Sequence, residues 1–280
     1  MTSAQPFDPA PFHQFEQSGW EVAAAHYADA FGIVTIQTDD MLLDAVGATS
    51  GTRLLDVACG PGFVAAAAAR RGAAPIGIDF SAAMIADARR RHPEIRFDEG
   101  DATALRFDAG SFDAVVMNFG MLHLAQPDKA IAEAHRVLKP GGHYGFTVWA
   151  SPDLAVGFGM VLRAIEALGN TRVPLPEGPS FFRFSDADEV RRTLGRAGFA
   201  DVKVTPLSLT WPLSSPDALF EAMARGGVRT AAVLRAQTPP ALEAIRAAVR
   251  QEVIDKYATD AGFVVPMQAV LASATVARRP

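Results

Sequence analysis

A short apolar run followed by a glycine-rich turn lies at residues 54–65, LLDVACGPGFVA. The run predicts a buried strand ending near Asp56, and the glycines predict a sharp turn into a helix. Because Gly60 and Gly62 have no Cβ, the main chain there can approach a ligand closely. The free N–H groups of the helix's first turn add polar contacts. The segment therefore predicts a strand, turn and helix that hold a ligand against bare backbone.

Apolar runs alternate with helical patterns from about residue 53 to 150, the rhythm of a parallel sheet with crossover helices. The runs lack a clean period of two, as expected of strands covered on both faces. They are RLLDVA (53–58), APIGID (74–79), IRFDEG (95–100), FDAVVMN (112–118) and HYGFTVW (143–149). This pattern predicts an α/β fold with a Rossmann-like, doubly wound sheet.

The remaining segments predict a helical cap beside this sheet. We expect one domain over residues 1–280, with a core at about 45–150 completed by two later strands. Those strands are predicted near 201–209 and 267–278, after a helix that begins at Ser185 and ends at Gly198. The predicted cap consists of a helix over 11–32, a loop over 151–184 and a helical insertion over 212–262, in which a helix begins at Ser215 and Pro216.

Composition excludes several classes of protein. The chain has 280 residues, 49% of them hydrophobic, and a formal net charge of -5, so it should be globular and has no basic field suited to nucleic acid. The single cysteine, Cys59, excludes an internal disulfide, and no Cys/His spacing suggests a metal site. Without a leader pattern or a membrane-spanning run, we expect a soluble, cytoplasmic protein with no membrane partner.

Three acids follow predicted strands, where an open parallel sheet gathers its ligands. Asp79 closes the second strand, the position from which a carboxylate accepts hydrogen bonds from ribose hydroxyls, and Phe80 can cover an adenine face. Asp101 can accept from the adenine amine while the Ala102 N–H donates to a ring nitrogen. Asp56 can face a positively charged group of the ligand. Together these residues predict a cofactor that contains adenosine.

Two adenosine cofactors fit the glycine spacing. GPGFVA matches the Gly-x-Gly-x-x-Ala fingerprint of nicotinamide cofactors, and Asp79 suits either ribose. Asp56 would repel a pyrophosphate, however, and it suits the sulfonium and ammonium of S-adenosylmethionine. The residues therefore favour S-adenosylmethionine. A nicotinamide-dependent oxidoreductase and a non-catalytic S-adenosylmethionine-binding regulatory protein stay as alternatives.

Five motifs carry a family resemblance: LLDVACGPG, GIDFSAAMI, GDATALRF, FDAVVMNFGMLHL and RVLKPGG. With them the chain resembles the class I S-adenosylmethionine-dependent methyltransferases, particularly the ubiquinone-biosynthesis-like branch of small-molecule enzymes. The resemblance implies a seven-stranded sheet with an antiparallel last strand, and methyl transfer to a small molecule through an oxygen, nitrogen or carbon nucleophile. One departure is Ala58, where the family commonly has glycine. The implied cofactor-binding residues are Asp56, Gly60, Gly62, Asp79, Phe80, Asp101, Ala102 and Asn118, with Met84 and Phe119 beside them.

Methyl transfer is an in-line displacement, so alignment can supply most of the catalysis and a base is optional. If the acceptor carries a hydroxyl or an acidic carbon, His123, after the fourth strand, is the candidate base. The alternative is that His123 only packs or hydrogen-bonds in its loop.

Tyr27 is a candidate substrate contact on the first helix, with packing as its alternative. Arg225, with Arg229, is a candidate clamp for an acidic acceptor, or half of a solvated surface pair.

Overall fold

The structure, a computed structural model, describes residues 8–278. Its central feature is a sheet with the order β3-β2-β1-β4-β5-β8-β6, to which the short β7 adds by pairing with β8. Strands β1 to β5 run parallel, and β8 is antiparallel to both β5 and β6. The strands are β1 (Arg53–Val57), β2 (Ala74–Asp79), β3 (Arg96–Glu99), β4 (Phe112–Asn118), β5 (Leu138–Trp149), β6 (Phe199–Leu213), β7 (Ala258–Thr259) and β8 (Gly262–Val276).

This sheet confirms the predicted Rossmann-like architecture with an antiparallel last strand. The middle strands are buried on both faces: Leu54, Leu55, Val115 and Val116 are fully inaccessible to solvent. Covering both faces removes the selection for alternating polar residues, which explains why the sequence shows continuous apolar runs. Seven strands form the main sheet, and β7, which has two residues, pairs only with β8.

Helices cover both faces of the sheet and extend over one edge. Several begin with the side-chain caps that the sequence supplies: Ser81 Oγ accepts from the Met84 N–H, and Asp186 accepts from the Asp188 N–H. The helices are α1 (Ala10–Tyr27), α2 (Ile33–Thr35), α3 (Asp39–Ala45), α4 (Phe63–Arg70), α5 (Ala82–Arg91), α6 (Pro127–Val137), α7 (Val156–Leu168), α8 (Ala187–Arg196), α9 (Ala218–Arg225), α10 (Arg229–Arg235) and α11 (Pro239–Tyr257). The helix predicted over 11–32 is α1 followed by a π-helical turn at Ala28–Gly32.

The largest difference from the sequence-based prediction is α7, which lies where a loop was expected over 151–184. Gly157 and Gly159 in its first turn lower helix propensity, so the sequence masks the helix. Both are required by packing, because a Cβ on Gly157 would lie 2.9 Å from Met267 Sδ and one on Gly159 would overlap the Pro152 carbonyl. Close packing against β8 therefore outweighs the propensity cost.

Smaller differences concern the ends of elements. Helix α9 begins after Asp217 rather than at Pro216, and β5 already includes Lys139–Gly142, where a turn was predicted. Strands β6 and β8 are longer than predicted and pair from Phe199↔Val276 to Leu213↔Phe263. Helices α9 to α11 leave the sheet after β6 and return before β8, so they form an insertion between two paired strands.

Candidate active site

A deep cleft lies at the carboxyl ends of the central strands, where parallel sheets bind ligands. About 1010 Å³ of space lies within the cleft when the open solvent at its mouth is included. One wall comes from the residues that follow β1 to β4, among them Gly60, Asp79, Asp101 and Asn118. The opposite side comes from α1, from the turn between α9 and α10, and from aromatic side chains of α7 and the loop before α8.

The turn after β1 brings Gly60 against Asp79. Gly60 has a φ of +51°, and its N–H donates to Asp79 Oδ2 at 2.9 Å. The Ser81 N–H donates to the other oxygen at 2.9 Å. Burial raises the pKa of Asp79 to about 6, although these two donors oppose the shift. Asp79 is thus held on the cleft wall, in the predicted position.

Asp56 does not line the cleft, contrary to the prediction that it faces a cationic part of the cofactor. It is 1% exposed, and its Oδ2 accepts from the Ala65 N–H of α4 at 3.1 Å because the side chain turns towards the start of that helix. Its Oδ1 has no hydrogen-bond partner within residues 8–278. Burial, followed by the charge of Asp39, raises the pKa of Asp56 well above its usual range. Any influence on a ligand is electrostatic rather than by contact.

Gly62, also predicted to hold the cofactor, faces away from the cleft. Its φ is +83°, and a Cβ there would lie 2.6 Å from Phe97 Cζ. The residue is glycine because of its left-handed backbone and its packing on Phe97. A Cβ on Gly60, by contrast, would meet only Met84 Sδ at 3.9 Å, so the bare side of Gly60 faces open space.

The third predicted acid, Asp101, lines the cleft beside Ala102. Its carboxylate accepts from the Thr103 N–H at 2.7 Å and from Thr103 Oγ1 at 2.9 Å, which fixes the turn after β3. Phe80 and Met84 line the same part of the cleft, next to Gly60. Five of the predicted residues thus share this region of the wall with Gly60: Asp79, Phe80, Met84, Asp101 and Ala102.

Asn118, at the end of β4, lies deeper in the cleft. Its Oδ1 accepts from Thr38 Oγ1 at 2.8 Å and from the Thr147 hydroxyl, and its Nδ2 donates to Asp39 Oδ1 at 3.2 Å. Burial raises the pKa of Asp39 to about 7. The next residue, Phe119, lines the cleft with a φ of +53°. Asp39 was not a predicted site residue.

His123 belongs to a buried ionic chain at the cleft wall. Its Nδ1 lies 2.9 Å from Oε2 of Glu16, a residue of α1 with no exposed surface. Oε1 of Glu16 accepts from Arg229 Nε at 2.7 Å. The other two guanidinium nitrogens donate to the Pro179 carbonyl at 2.8 Å and the Leu122 carbonyl at 2.6 Å. Because a carboxylate accepts from the Nδ1–H, neutral His123 carries its lone pair on Nε2.

The two predicted substrate contacts, Tyr27 and Arg225, lie in different places relative to the cleft. Tyr27 lines the cleft with its hydroxyl 3.1 Å from Thr35 Oγ1, and burial raises its pKa to about 12. Arg225 is exposed and does not line the cleft, so the structure does not bring it to the acceptor region. The end of α9 turns its neighbour Gly226 towards Ala30 and leaves Arg225 on the outside.

Sequence reasoning missed Glu16. The sequence does mark this residue, since Glu16 is an acid on the same helical face of α1 as the buried apolar residues Phe12, Trp20 and Ala23. A charged residue at a core position calls for a buried partner. The partners, His123 and Arg229, are distant in sequence, and no local pattern points to them.

The part of the cleft beyond Asn118 is an aromatic chamber formed by Phe31, Phe119, Trp149, Phe158 and Phe181. Phe31 stacks on Phe158 with ring centroids 5.7 Å apart, and the Phe119 and Trp149 centroids are 4.2 Å apart. Such walls bury flat apolar groups well.

Within residues 8–278, no three His, Cys, Asp or Glu side chains are grouped as metal ligands. In the same range, no helix has the length and apolarity to cross a bilayer.

Comparison with known proteins decides the family. A family model described as a methyltransferase domain matches residues 54–142. The demethylmenaquinone methyltransferase of Renibacterium salmoninarum is 36% identical over 177 residues, covering 60% of this chain and 75% of that protein. The chain belongs to the class I S-adenosylmethionine-dependent methyltransferases. The demethylmenaquinone methyltransferase of Paenarthrobacter aurescens, 31% identical over 60% of this chain and 70% of its own length, places this methyltransferase in the same quinone-biosynthesis branch.

Solved structures confirm the fold of this methyltransferase. The YcgJ protein of Bacillus subtilis has a TM-score of 0.57 at 19% identity, covering 87% of this chain and 99% of that one. A putative methyltransferase from Bacillus halodurans has a TM-score of 0.57 at 17% identity, covering 86% and 99%. The enzyme therefore transfers a methyl group from S-adenosylmethionine to a small-molecule acceptor, as the sequence motifs predicted.

The residues present fit S-adenosylmethionine. The bare side of Gly60 leaves room for a ligand against the backbone, and Asp79 and Asp101 present carboxylates on the same wall. The buried carboxylates Asp39 and Asp56 lie close enough to each other to raise the pKa of Asp56. A positively charged ligand nearby would relieve that repulsion. The site therefore has both the space and the sign of charge that an adenosyl sulfonium requires.

Proposed function

We propose that this methyltransferase methylates an uncharged aromatic small molecule that carries an ionisable hydroxyl, with His123 as the general base. The observation that carries the proposal is the His123 ring beside the aromatic chamber, with Nδ1 engaged by Glu16. A neutral imidazole with a free Nε2 can take a proton near neutral pH. The proposed acceptor lies in the chamber, and the cofactor lies along the ends of β1 to β3.

The proposed cofactor contacts follow the geometry of the wall. Asp79 accepts from the ribose hydroxyls, and Asp101 with the Ala102 N–H faces the adenine, against Phe80 and Met84. Gly60 supplies the bare backbone, and Asn118 and Phe119 separate this region from the acceptor. When bound, S-adenosylmethionine supplies a methyl group on a sulfonium, whose sulfur leaves with the bonding electron pair. His123 Nε2 takes the hydroxyl proton. The acceptor oxygen then uses the freed electron pair to form its bond to the methyl carbon.

Electrostatics favour an uncharged acceptor. Arg229 is the only arginine or lysine among the described residues that line the cleft, and each of its three nitrogens already donates to a protein oxygen. Its charge is balanced by the fully buried Glu16. A phosphate or carboxylate on the acceptor would find no free cation there, and burying it would be costly. The curated relatives are named for demethylmenaquinone, and an aromatic acceptor of that chemical type suits the same walls.

We further propose that residues 1–280 form one methyltransferase domain, in which α1 and the insertion α9 to α11 cap the acceptor. Trp20 and Tyr27 of α1 and Val228 before α10 line the cleft opposite the strand ends, which supports this role. The net charge of -5 and the apolar chamber favour a small molecule over nucleic acid. A cytoplasmic location agrees with the single cysteine.

The test is transfer of a labelled methyl group to a panel of phenols and hydroquinones, with carboxylated and phosphorylated analogues. We expect turnover of the uncharged compounds, and His123→Asn should lower kcat by about 10²- to 10⁴-fold, the usual contribution of a general base. Affinity for S-adenosylhomocysteine should stay within about twofold, since His123 does not lie at the proposed cofactor wall. His26→Asn, which changes an exposed histidine of α1, is the matched control. Full activity of His123→Asn, or preference for charged acceptors, contradicts the proposal.

A further inference from the structure

Glu16 is a buried carboxylate whose presence methyl transfer alone does not explain. We propose that Glu16 is a positioning residue, held by Arg229, that orients His123 and makes the base competent only when the cap is closed. This inference rests on the proposed role of His123 as general base. It adds a residue of α1 and a residue of the insertion to the machinery of the reaction.

Burying an ionised Glu16 is costly. The residue has no exposed surface, and an ionised carboxylate in such a place needs charge compensation and a hydrogen bond for each oxygen. Oε1 has the Arg229 Nε–H at 2.7 Å, and Oε2 has His123 Nδ1 at 2.9 Å. Each oxygen thus has one partner, and the guanidinium supplies the positive charge. Apolar residues in place of all three groups would often cost no stability, whereas removing Glu16 alone would leave Arg229 without its carboxylate, so a buried ionic chain of this kind calls for a function.

Glu16 acts on the imidazole of His123 through Nδ1. A carboxylate on Nδ1 selects the tautomer whose Nε2 is unprotonated, and it stabilises the imidazolium once a proton has arrived. The Trp20 ring stands edge-on to His123 with centroids 4.8 Å apart, and the Phe181 ring does so at 5.9 Å. These rings carry no charge and restrict rotation of the imidazole. Among the described residues, the charged groups of this chain are Glu16, which contacts His123 Nδ1, and Arg229, which contacts Glu16 and the Leu122 carbonyl next to His123.

The ionic chain of Glu16, His123 and Arg229 joins parts of the fold that are distant in sequence. Glu16 comes from α1, His123 from the turn after β4, and Arg229 from the first residue of α10 in the insertion. Arg229 also donates to the Pro179 carbonyl in the loop before α8, and its guanidinium lies 4.4 Å from the Phe12 ring centroid. If α1 or α10 moved away, Glu16 would leave His123. Orientation of the base is thereby coupled to enclosure of the acceptor.

The decisive experiment is Glu16→Gln in the full chain, measured as kcat and kcat/KM against pH with an acceptor from the panel above. A neutral amide no longer selects the tautomer or stabilises the imidazolium. We expect kcat to fall about 10- to 100-fold, as when a carboxylate partner of a functional histidine is lost. The shape of the kcat/KM profile against pH should change as well, because the carboxylate that contacts His123 Nδ1 is replaced by an amide. S-adenosylhomocysteine affinity should change less than the rate does.

The control is Glu21→Gln on the same helix. Glu21 accepts from the Ala82 N–H at 2.8 Å and the Ala83 N–H at 3.0 Å, so it also joins α1 to the core but does not touch His123. We expect Glu21→Gln to leave the pH profile in place. A general loosening of α1 would move both variants alike, and that result would overturn the inference.

A double variant separates positioning from a purely structural role. In His123→Asn, adding Glu16→Gln should change kcat by less than about twofold, because the residue acts through the histidine. Additive losses in the double variant overturn the positioning role. If His123→Asn is itself fully active, the proposed base is wrong. If His123→Asn is inactive while Glu16→Gln keeps the wild-type pH profile, only the positioning role fails.

Discussion

Asp79 shows how a single side chain can fix a turn and still be available to a ligand. Both of its oxygens accept backbone N–H groups, from Gly60 and Ser81, and each keeps a lone pair for another donor. It lies almost fully buried at the wall where the ribose is proposed to bind. The carboxylate therefore fixes the glycine turn and offers hydrogen-bond acceptors to a ligand at the same time.

Asp79→Ala should weaken binding of S-adenosylmethionine by about 1 to 3 kcal/mol, the usual loss for hydrogen bonds to a charged group. Titration calorimetry measures this directly. Asp98→Ala, which removes a partly exposed carboxylate on β3, is the control and should leave the affinity unchanged. Wild-type affinity in Asp79→Ala would remove Asp79 from the binding site.

Sequence reasoning at this scale placed residues in the cleft where their position at a strand end decides it. Asp79, Asp101 and Asn118 end or follow strands, and all three line the cleft, while their roles towards the cofactor stay predictions. Asp56 has the expected strand position, but its side chain turns towards α4 and it does not line the cleft. Sequence reasoning also missed Glu16, whose role depends on partners 107 and 213 positions away. Side-chain direction and distant pairing are set by tertiary packing, which local patterns do not report.

At the scale of elements, the turns after β1 and β4 are built to fit each other. Ala58 has a φ of +55°, a conformation that favours glycine, and glycine is common there in the family. Its Cβ points at Gly120, where an added Cβ would lie 2.6 Å from it and 2.8 Å from Met117 Cγ. A methyl group on one turn is therefore accommodated by glycine on the other, and both turns line the cleft.

Gly120→Ala should lower the free energy of unfolding by about 1 to 3 kcal/mol, because the new Cβ overpacks a contact formed by backbone-anchored atoms. Urea unfolding measures the change. The double variant Ala58→Gly/Gly120→Ala removes the opposing methyl group and should recover part of the loss. Equal destabilisation with and without Ala58→Gly would show that the two turns do not interact.

Element prediction was accurate where packing and propensity agree. Strands β1 to β4 lie within two residues of the predicted runs, since buried apolar runs between glycine and proline signals leave little choice. Helix α7 was missed because its glycines are selected for contact with β8 and Pro152, against their own propensity. The long pairing of β6 with β8 also exceeds what the sequence signals, because the partner strand supplies much of its stability.

At the scale of the whole molecule, three buried acids make the cofactor-free protein sensitive to pH. Burial raises the pKa of Asp79 to about 6 and of Asp39 to about 7, and raises that of Asp56 as well. A carboxyl whose pKa is raised by folding stabilises the fold below its unfolded pKa, near 4, and this stabilisation is lost as pH rises through the folded value. His92, whose pKa is lowered, acts in the opposite sense in part of this range.

The free energy of unfolding without cofactor should therefore fall by about a few kcal/mol between pH 5 and pH 7.5, the sum of such pKa differences. Glu189, whose pKa its arginine partners lower to about 2, and the other carboxylates paired with arginine are ionised when folded and largely ionised when unfolded, so they add only a small opposing slope near pH 5. Stabilisation by S-adenosylmethionine relative to S-adenosylhomocysteine should grow over the same interval, because the sulfonium favours ionised carboxylates. Urea unfolding at a series of pH values checks this, with Asp39→Asn expected to flatten the slope. A flat wild-type profile contradicts it.

The insertion between β6 and β8 has a consequence for how enzymes of this shape can diversify. Leu213 and Phe263 are register partners, so the chain departs from the sheet and rejoins it at neighbouring positions. Closing a longer or shorter excursion between two fixed neighbours changes the entropy only slowly with length. Insertions of different length and sequence can accordingly be accommodated at this point of the sheet. Such a change would alter the cap over the acceptor, while the strand ends proposed to bind the cofactor would stay the same.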